Sequence, residues 1–146
     1  MTVRDHLRAL ARDRQGSPVL EFALLSPLLL GAMFGVLQIG IGMRDYNSMR
    51  SIAAETARYA VTNYQADNKL SVTAIENYGV SIAQAAPYTL DPTGLSVAVT
   101  KPATQRITGV TELQVNVTYT TASQLKIIGI DNPFSFTFTR PIFVKT

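Results

Sequence analysis

The sequence predicts an α+β chain: a long N-terminal helix whose first half spans a membrane and whose second half projects beyond it, a second helix, and a small antiparallel β-sheet. Three observations predict this. Between Phe22 and Gly42 there is no charged residue, a run long enough to cross a hydrocarbon core of about 30 Å as a helix. From Met43 to about residue 64 the apolar positions recur near a 3.6-residue period. Beyond Pro87 the period changes to 2, with β-branched and aromatic residues dominant. The chain accordingly divides into a leader (1–16), a membrane-spanning helix (17–43), a helical extension with a second helix (44–86), and a β-rich region (87–146).

The leader, MTVRDHLRALARDRQG, carries Arg4, Arg8, Arg12 and Arg14, which bias the N-terminus to the cytoplasmic side and send the rest of the chain across the membrane. A secretory signal peptide has its small-residue cleavage site after the apolar region. Here the run is followed by Met43-Arg-Asp-Tyr-Asn47, and the small residue, Gly16, precedes it. Cleavage between Gly16 and Ser17 would leave the anchor attached.

Within the spanning helix, Pro18 falls in the first turn, where its missing N–H costs little. Pro27 removes an internal hydrogen bond and loosens or kinks the helix. Gly31 and Gly35 form a small-xxx-small pair that admits close approach of another helix, or else reflect the general frequency of glycine in membrane helices. No breaker follows Met43, and Met49, Ile52, Ala53, Thr56, Tyr59 and Ala60 continue the helical period, so one helix is expected from about 18 to 64, about 70 Å long. Residues 65–70 are a polar break. Ser71 is the expected N-cap of a helix bearing Val72, Ile75, Tyr78, Ile82 and Ala85 that ends before Pro87.

Three stretches alternate: Leu95–Val99, Leu113–Tyr119 and Phe134–Thr139, with Ile142–Val144 extending the last beyond Pro141. Their links are too short for crossover helices, so the strands are expected to be antiparallel. One face of such a sheet needs a cover, and the second helix with the projecting half of the first is available to provide it. Phe134, Phe136 and Phe138 then share one sheet face rather than forming a ligand cage.

Composition narrows the function. The net charge is +3 and the pI about 9.4, but removing the leader takes four Arg and two Asp from totals of 13 basic and 10 acidic residues. No basic stripe with interleaved aromatics remains, which speaks against nucleic acid as a partner. There is no cysteine, and the single histidine, His6, lies in the leader, so the remainder offers neither a thiolate metal site nor a Ser-His-Asp triad. The acidic residues are too dispersed to suggest an acid/base pair. No cofactor is implied. Arg44 and Asp45 read as anchors at the outer membrane boundary, and Arg58 with Glu55 as a solvated i, i+3 pair. Asn116-Val-Thr118 has the sequon form but falls in a predicted strand.

Glu21 is the unusual residue. A carboxylate near hydrocarbon costs about 2–3 kcal/mol at the helix centre and less toward the interface. Cleavage after Gly16 would create an α-amino group on Ser17 with a pKa near 8. Ser17 and Glu21 are an i, i+4 pair, so Glu21 can meet the amine of its own chain or that of a neighbour; alternatively it snorkels to the headgroups.

The residues Gly16-Ser-Pro-Val-Leu-Glu21-Phe-Ala-Leu24, followed by Pro27, Phe34-Gly-Val-Leu-Gln-Ile-Gly40, Asn47 and Ala54-Glu-Thr-Ala-Arg-Tyr-Ala60, closely resemble the N-terminal region of TadE-like pseudopilins of the tight-adherence (Flp) pilus system. The resemblance covers residues 14 to about 61. It implies that a prepilin peptidase cuts after Gly16 and that Glu21, fifth in the mature chain, supports processing or assembly. It also implies a minor-pilin role in a type IV-like fibre system of the bacterial inner membrane, with other pilin-type subunits and an assembly platform as partners. Many relatives carry an acid where this chain has Gln38, so a polar contact between helices there would be uncharged. Residues 65–146 carry no motif of the family.

The leading expectation is therefore a membrane-anchored, non-enzymatic pilin-like subunit made as a precursor. A second is an uncleaved, signal-anchored envelope protein whose outer domain binds a partner. A third, an envelope enzyme, has no supporting motif.

Overall fold

With no proline or polar break between Pro27 and the end of the amphipathic stretch, helical hydrogen bonding runs through uninterrupted. The computed structural model describes residues 17–124, 126, 129, 131 and 133–145, so the leader and Gly16 lie outside the described residues. Helix α1, Ser17–Gln65, is continuous over 49 residues, about 74 Å at 1.5 Å per residue. Its lower part is exposed nearly all round, and its upper part buries a stripe comprising Gln38, Gly42, Asp45, Met49, Ile52, Ala53, Thr56 and Ala60. The three- and four-residue steps of that stripe keep one face turned to the rest of the molecule.

A polar turn follows, in which Tyr64 Oη donates to the Leu70 carbonyl at 3.1 Å. Helix α2, Val72–Gln84, starts as expected: Ser71 is extended, and its Oγ accepts from the Ala74 N–H at 3.2 Å. It stops one residue earlier than the sequence suggested. Ala85 is extended, and its N–H bonds the Ile82 carbonyl, consistent with the chain leaving the α region ahead of Pro87.

Strands β1 (Leu95–Thr100), β2 (Val110–Thr121) and β3 (Phe134–Lys145) form one antiparallel meander in the order β1-β2-β3. β2 and β3 are longer than the alternating stretches alone indicate. β3 passes through Pro141, opposite Gln114, which is tolerated because β3 is an edge strand. Alternation places Val97, Val99, Leu113, Val115, Val117 and Ile142 on the inner face, where α1 covers β2 and β3 and α2 covers β1. Two helices on one face of the sheet thus enclose a single core.

Two contacts fix the loops to this core. Arg106 makes a bidentate ion pair with Glu112, Nε to Oε2 at 2.9 Å and Nη2 to Oε1 at 2.6 Å, and its guanidinium lies 5.2 Å from the centre of the Phe143 ring. Tyr88 Oη donates to Glu55 Oε1 at 2.7 Å, which raises the phenol pKa. Glu55 was expected to pair with Arg58; the structure instead uses it to hold the turn after α2, because Tyr88 reaches it across the core boundary.

At Gly79, α2 packs tightly against both α1 and β1. A Cβ there would lie 2.8 Å from Val97 Cγ1 and 3.0 Å from Thr56 Oγ1, and the Tyr59 and Tyr78 rings stack beside it at 3.8 Å. Gly79→Ala is therefore expected to destabilise the chain by about 1–2 kcal/mol, since overpacking outweighs the gain in helix propensity. Thermal unfolding of the full chain in detergent, followed by circular dichroism, reads this as a lowered midpoint. A second expectation concerns acid. The Arg106 guanidinium holds the Glu112 carboxyl below its ordinary range, so the stability it contributes is present above the unfolded carboxylate pKa of about 4.3 and lost as pH falls through the lower folded value. In the same assay, Glu112→Gln should flatten the acid limb of the midpoint against pH.

Candidate functional site

The sequence-derived site residues lie on the lower half of α1. Large apolar side chains surround it, from Val19 at 71% exposed to Met43 at 64%. It is the one helix among the described residues that is long and apolar enough to cross a membrane, and an exposed apolar surface of this extent marks a lipid or protein contact. Ser17 is the first described residue of the helix. Glu21 is exposed one turn above it, about 6 Å along the axis. Acid and candidate cleavage point therefore share one end of an apolar rod.

Pro27 sits inside α1 and has no N–H to give to the carbonyl of Ala23 four residues back. Ser26 Oγ donates to that carbonyl at 3.1 Å, so the group orphaned by the proline is satisfied within the helix, as an apolar surrounding requires. The Ser-Pro pair preserves the helix instead of ending it.

Gly31 and Gly35 have open space where a Cβ would be. Four residues apart, they lie on one face, and that face is shared with Gln38, Gly42 and Asp45 above them at helical spacing. Among the described residues nothing comes within 4 Å of a Cβ placed on either glycine. The structure brings them together on a surface but does not bring them near Glu21, which lies ten or more residues lower.

Gln38 and Asp45 are where the sequence reading changes most. For Gln38 the resemblance implied only that a polar contact between helices there would be uncharged, and Asp45 was expected as an anchor at the outer membrane boundary. Both are 1% exposed. Gln38 Nε2 donates to the Ala122 carbonyl at 3.3 Å, and Gln38 Oε1 accepts the Gln124 N–H at 2.6 Å. Asp45 Oδ2 accepts from Thr121 Oγ1 at 2.9 Å, while Oδ1 accepts from Arg44 Nε and Nη2 at 3.0 and 2.8 Å. Two residues seven apart on α1 thus hold the end of β2 and the backbone beyond it. The missed signal was spacing: Gln38, Asp45 and Ile52 follow one another at seven-residue steps, which extends the buried seam down to residue 38.

Beside this latch an apolar groove of about 450 Å³ is lined by Ile39, Gly42, Met43, Tyr46, Asn47, Phe134 and Phe136. The Tyr46 ring meets Phe136 edge-on at 6.0 Å and Phe138 at 6.2 Å. The phenylalanines share one sheet face as expected, and that face closes on α1. Farther up, the same cleft turns polar, with Asn47, Arg50, Ser51 and Arg140 among its lining.

Comparison with known proteins places the N-terminal half in context. No curated protein and no solved structure matches the chain. Residues 16–58 match the model of the TadE-like protein family, a segment that begins at Gly16, takes in Glu21, the glycine pair and the latch residues Gln38 and Asp45, and ends within the sheet-covered part of α1. Over that segment the chain is similar to the TadE-like proteins.

Proposed function

We propose that the chain is a minor pilin of a tight-adherence (Flp) type IV-like pilus, made as a precursor and cut by a prepilin peptidase between Gly16 and Ser17. The observation that carries this reading is the TadE-like match, which starts on Gly16 and runs directly into an exposed apolar helix with Glu21 near its start. On this reading residues 1–16 are a cytoplasmic leader, α1 is a single-pass anchor in the bacterial inner membrane, and the sheet-bearing part stands outside the cytoplasm. Partners are the peptidase, other pilin-type subunits and the assembly platform. The role is structural, and no cofactor takes part.

The chemistry follows from burying a charge. Cleavage frees an amine at Ser17 that is cationic at neutral pH. It also creates a helix N-terminus, whose free N–H groups favour a nearby carboxylate. Glu21 is one turn away, so the new amine of its own chain can neutralise it in the membrane. A neighbour's amine can do the same when helices pack side by side. Close packing over Gly31 and Gly35 would add van der Waals contact without side chains in the way.

Two measurements test the reading. N-terminal sequencing of the membrane form from cells that contain the peptidase should begin at Ser17; a chain beginning at Met1 would instead favour an uncleaved signal-anchored protein whose outer domain binds a partner. Glu21→Ala should leave membrane insertion intact and reduce piliation, scored by electron microscopy of surface fibres. Normal piliation in that variant would remove the carboxylate from the assembly step.

A further inference from the structure

We infer that the groove between α1 and the start of β3 lies in the headgroup layer of the outer leaflet and takes up phospholipid, so that the folded part of the chain is seated in the membrane surface rather than standing clear of it. This rests on reading α1 as a membrane span.

Helix length carries the inference. The latch at Gln38 fixes the underside of the folded part at that level, because Gln38 bonds the backbone at Ala122 and Gln124. From Pro18 to Gln38 the helix rises about 30 Å, one hydrocarbon core. If the folded part stood clear of lipid, the hydrocarbon core and the outer headgroup layer, about 35–37 Å together, would have to lie below Gln38, more than the helix from Pro18 supplies. Gly42 stands about 6 Å above Gln38, within the layer of roughly 5–7 Å that headgroups add on each side. A Cβ on Gly42 would meet Phe136 at 3.2 Å and Phe134 at 3.7 Å, so both rings share its level.

The chemistry of the groove fits this layer. Its lining is continuous with the exposed stem through Ile39 and Met43, 58% and 64% exposed. Phe134, Phe136 and Tyr46 form an aromatic cluster of the kind that settles at membrane interfaces. Just above, Arg44 keeps its side chain 71% exposed while paired to Asp45, a cation at the height of the phosphates. Apolar below and cationic above is the order met on passing outward from acyl chain to phosphate.

The chain has no tryptophan, so single tryptophans report without background. The full chain is reconstituted in phosphatidylcholine vesicles with nitroxide-labelled lipids as quenchers, carried on the headgroup, high on the acyl chain, or near the bilayer centre. Phe136→Trp should emit to the blue and lose most of its emission to the headgroup and shallow labels. Phe143→Trp, about 23 Å farther along β3, should keep its emission. Met43→Trp lies on the helix surface of the same groove and repeats the reading should the sheet variant fail to fold. Leu29→Trp, mid-stem, should be quenched by the deep label. If Leu29→Trp is quenched while Phe136→Trp and Met43→Trp are not, the seating is wrong and the membrane span stands. If Leu29→Trp escapes quenching, the span and the seating fall together. Quenching at Phe136→Trp or Met43→Trp that vanishes as the protein-to-lipid ratio rises would assign the groove to a second copy of the chain and overturn the proposal.

Discussion

A three-stranded sheet with one apolar face cannot stand alone, and here the upper half of α1 is its main partner. The buried seam from Gln38 to Ala60 therefore decides whether anything above the apolar stem folds. Met49 and Ile52 are fully buried along it, and Gly79 brings α2 close to Thr56 of α1 and Val97 of β1. Because the same helix continues downward as the apolar stem, folding of the sheet and orientation of the stem are one problem. A rotation of α1 that exposed the seam would also turn the faces presented below.

The lower end of the seam is polar, which is unusual for a core boundary. Buried polar groups are costly unless satisfied, and here they are bonded to the chain they fix: Gln38 with two backbone partners, Asp45 with Thr121 and Arg44. Such bonds contribute modestly to net stability, about 1 kcal/mol each, but leaving one unmade costs more. Their effect is one of position. A slip of the sheet along α1 would break the latch, whereas an all-apolar seam would resist slipping less sharply.

The course of both helices was legible because Ser71, Pro87 and the change from a 3.6 to a 2 period are local signals. The antiparallel meander followed from short links between alternating stretches. What lay beyond reach was long-range pairing. Gln38 and Ala122 stand far apart in the chain, and nothing local to Asp45 shows that Thr121 of β2 will bond it. Glu55 and Arg58 suggested a local pair for the same reason, while Tyr88 arrives from another element. Of the site, Glu21, Gly31 and Gly35 were visible as types at spacings, whereas the aromatic groove needed β3 to be docked on α1.

The shared face of Gly31, Gly35, Gln38 and Asp45 also limits traffic around the stem. Gly35 is only about 5 Å below Gln38 along the axis, so the glycine pair lies under an overhang formed by the backbone at Ala122 and Gln124. A visitor running parallel to α1 along this face would strike the overhang within a turn. One crossing at about 40°, the angle such glycine pairs favour, would pass out from beneath it. Any helix packed on these glycines would therefore have to cross α1 obliquely rather than run alongside it.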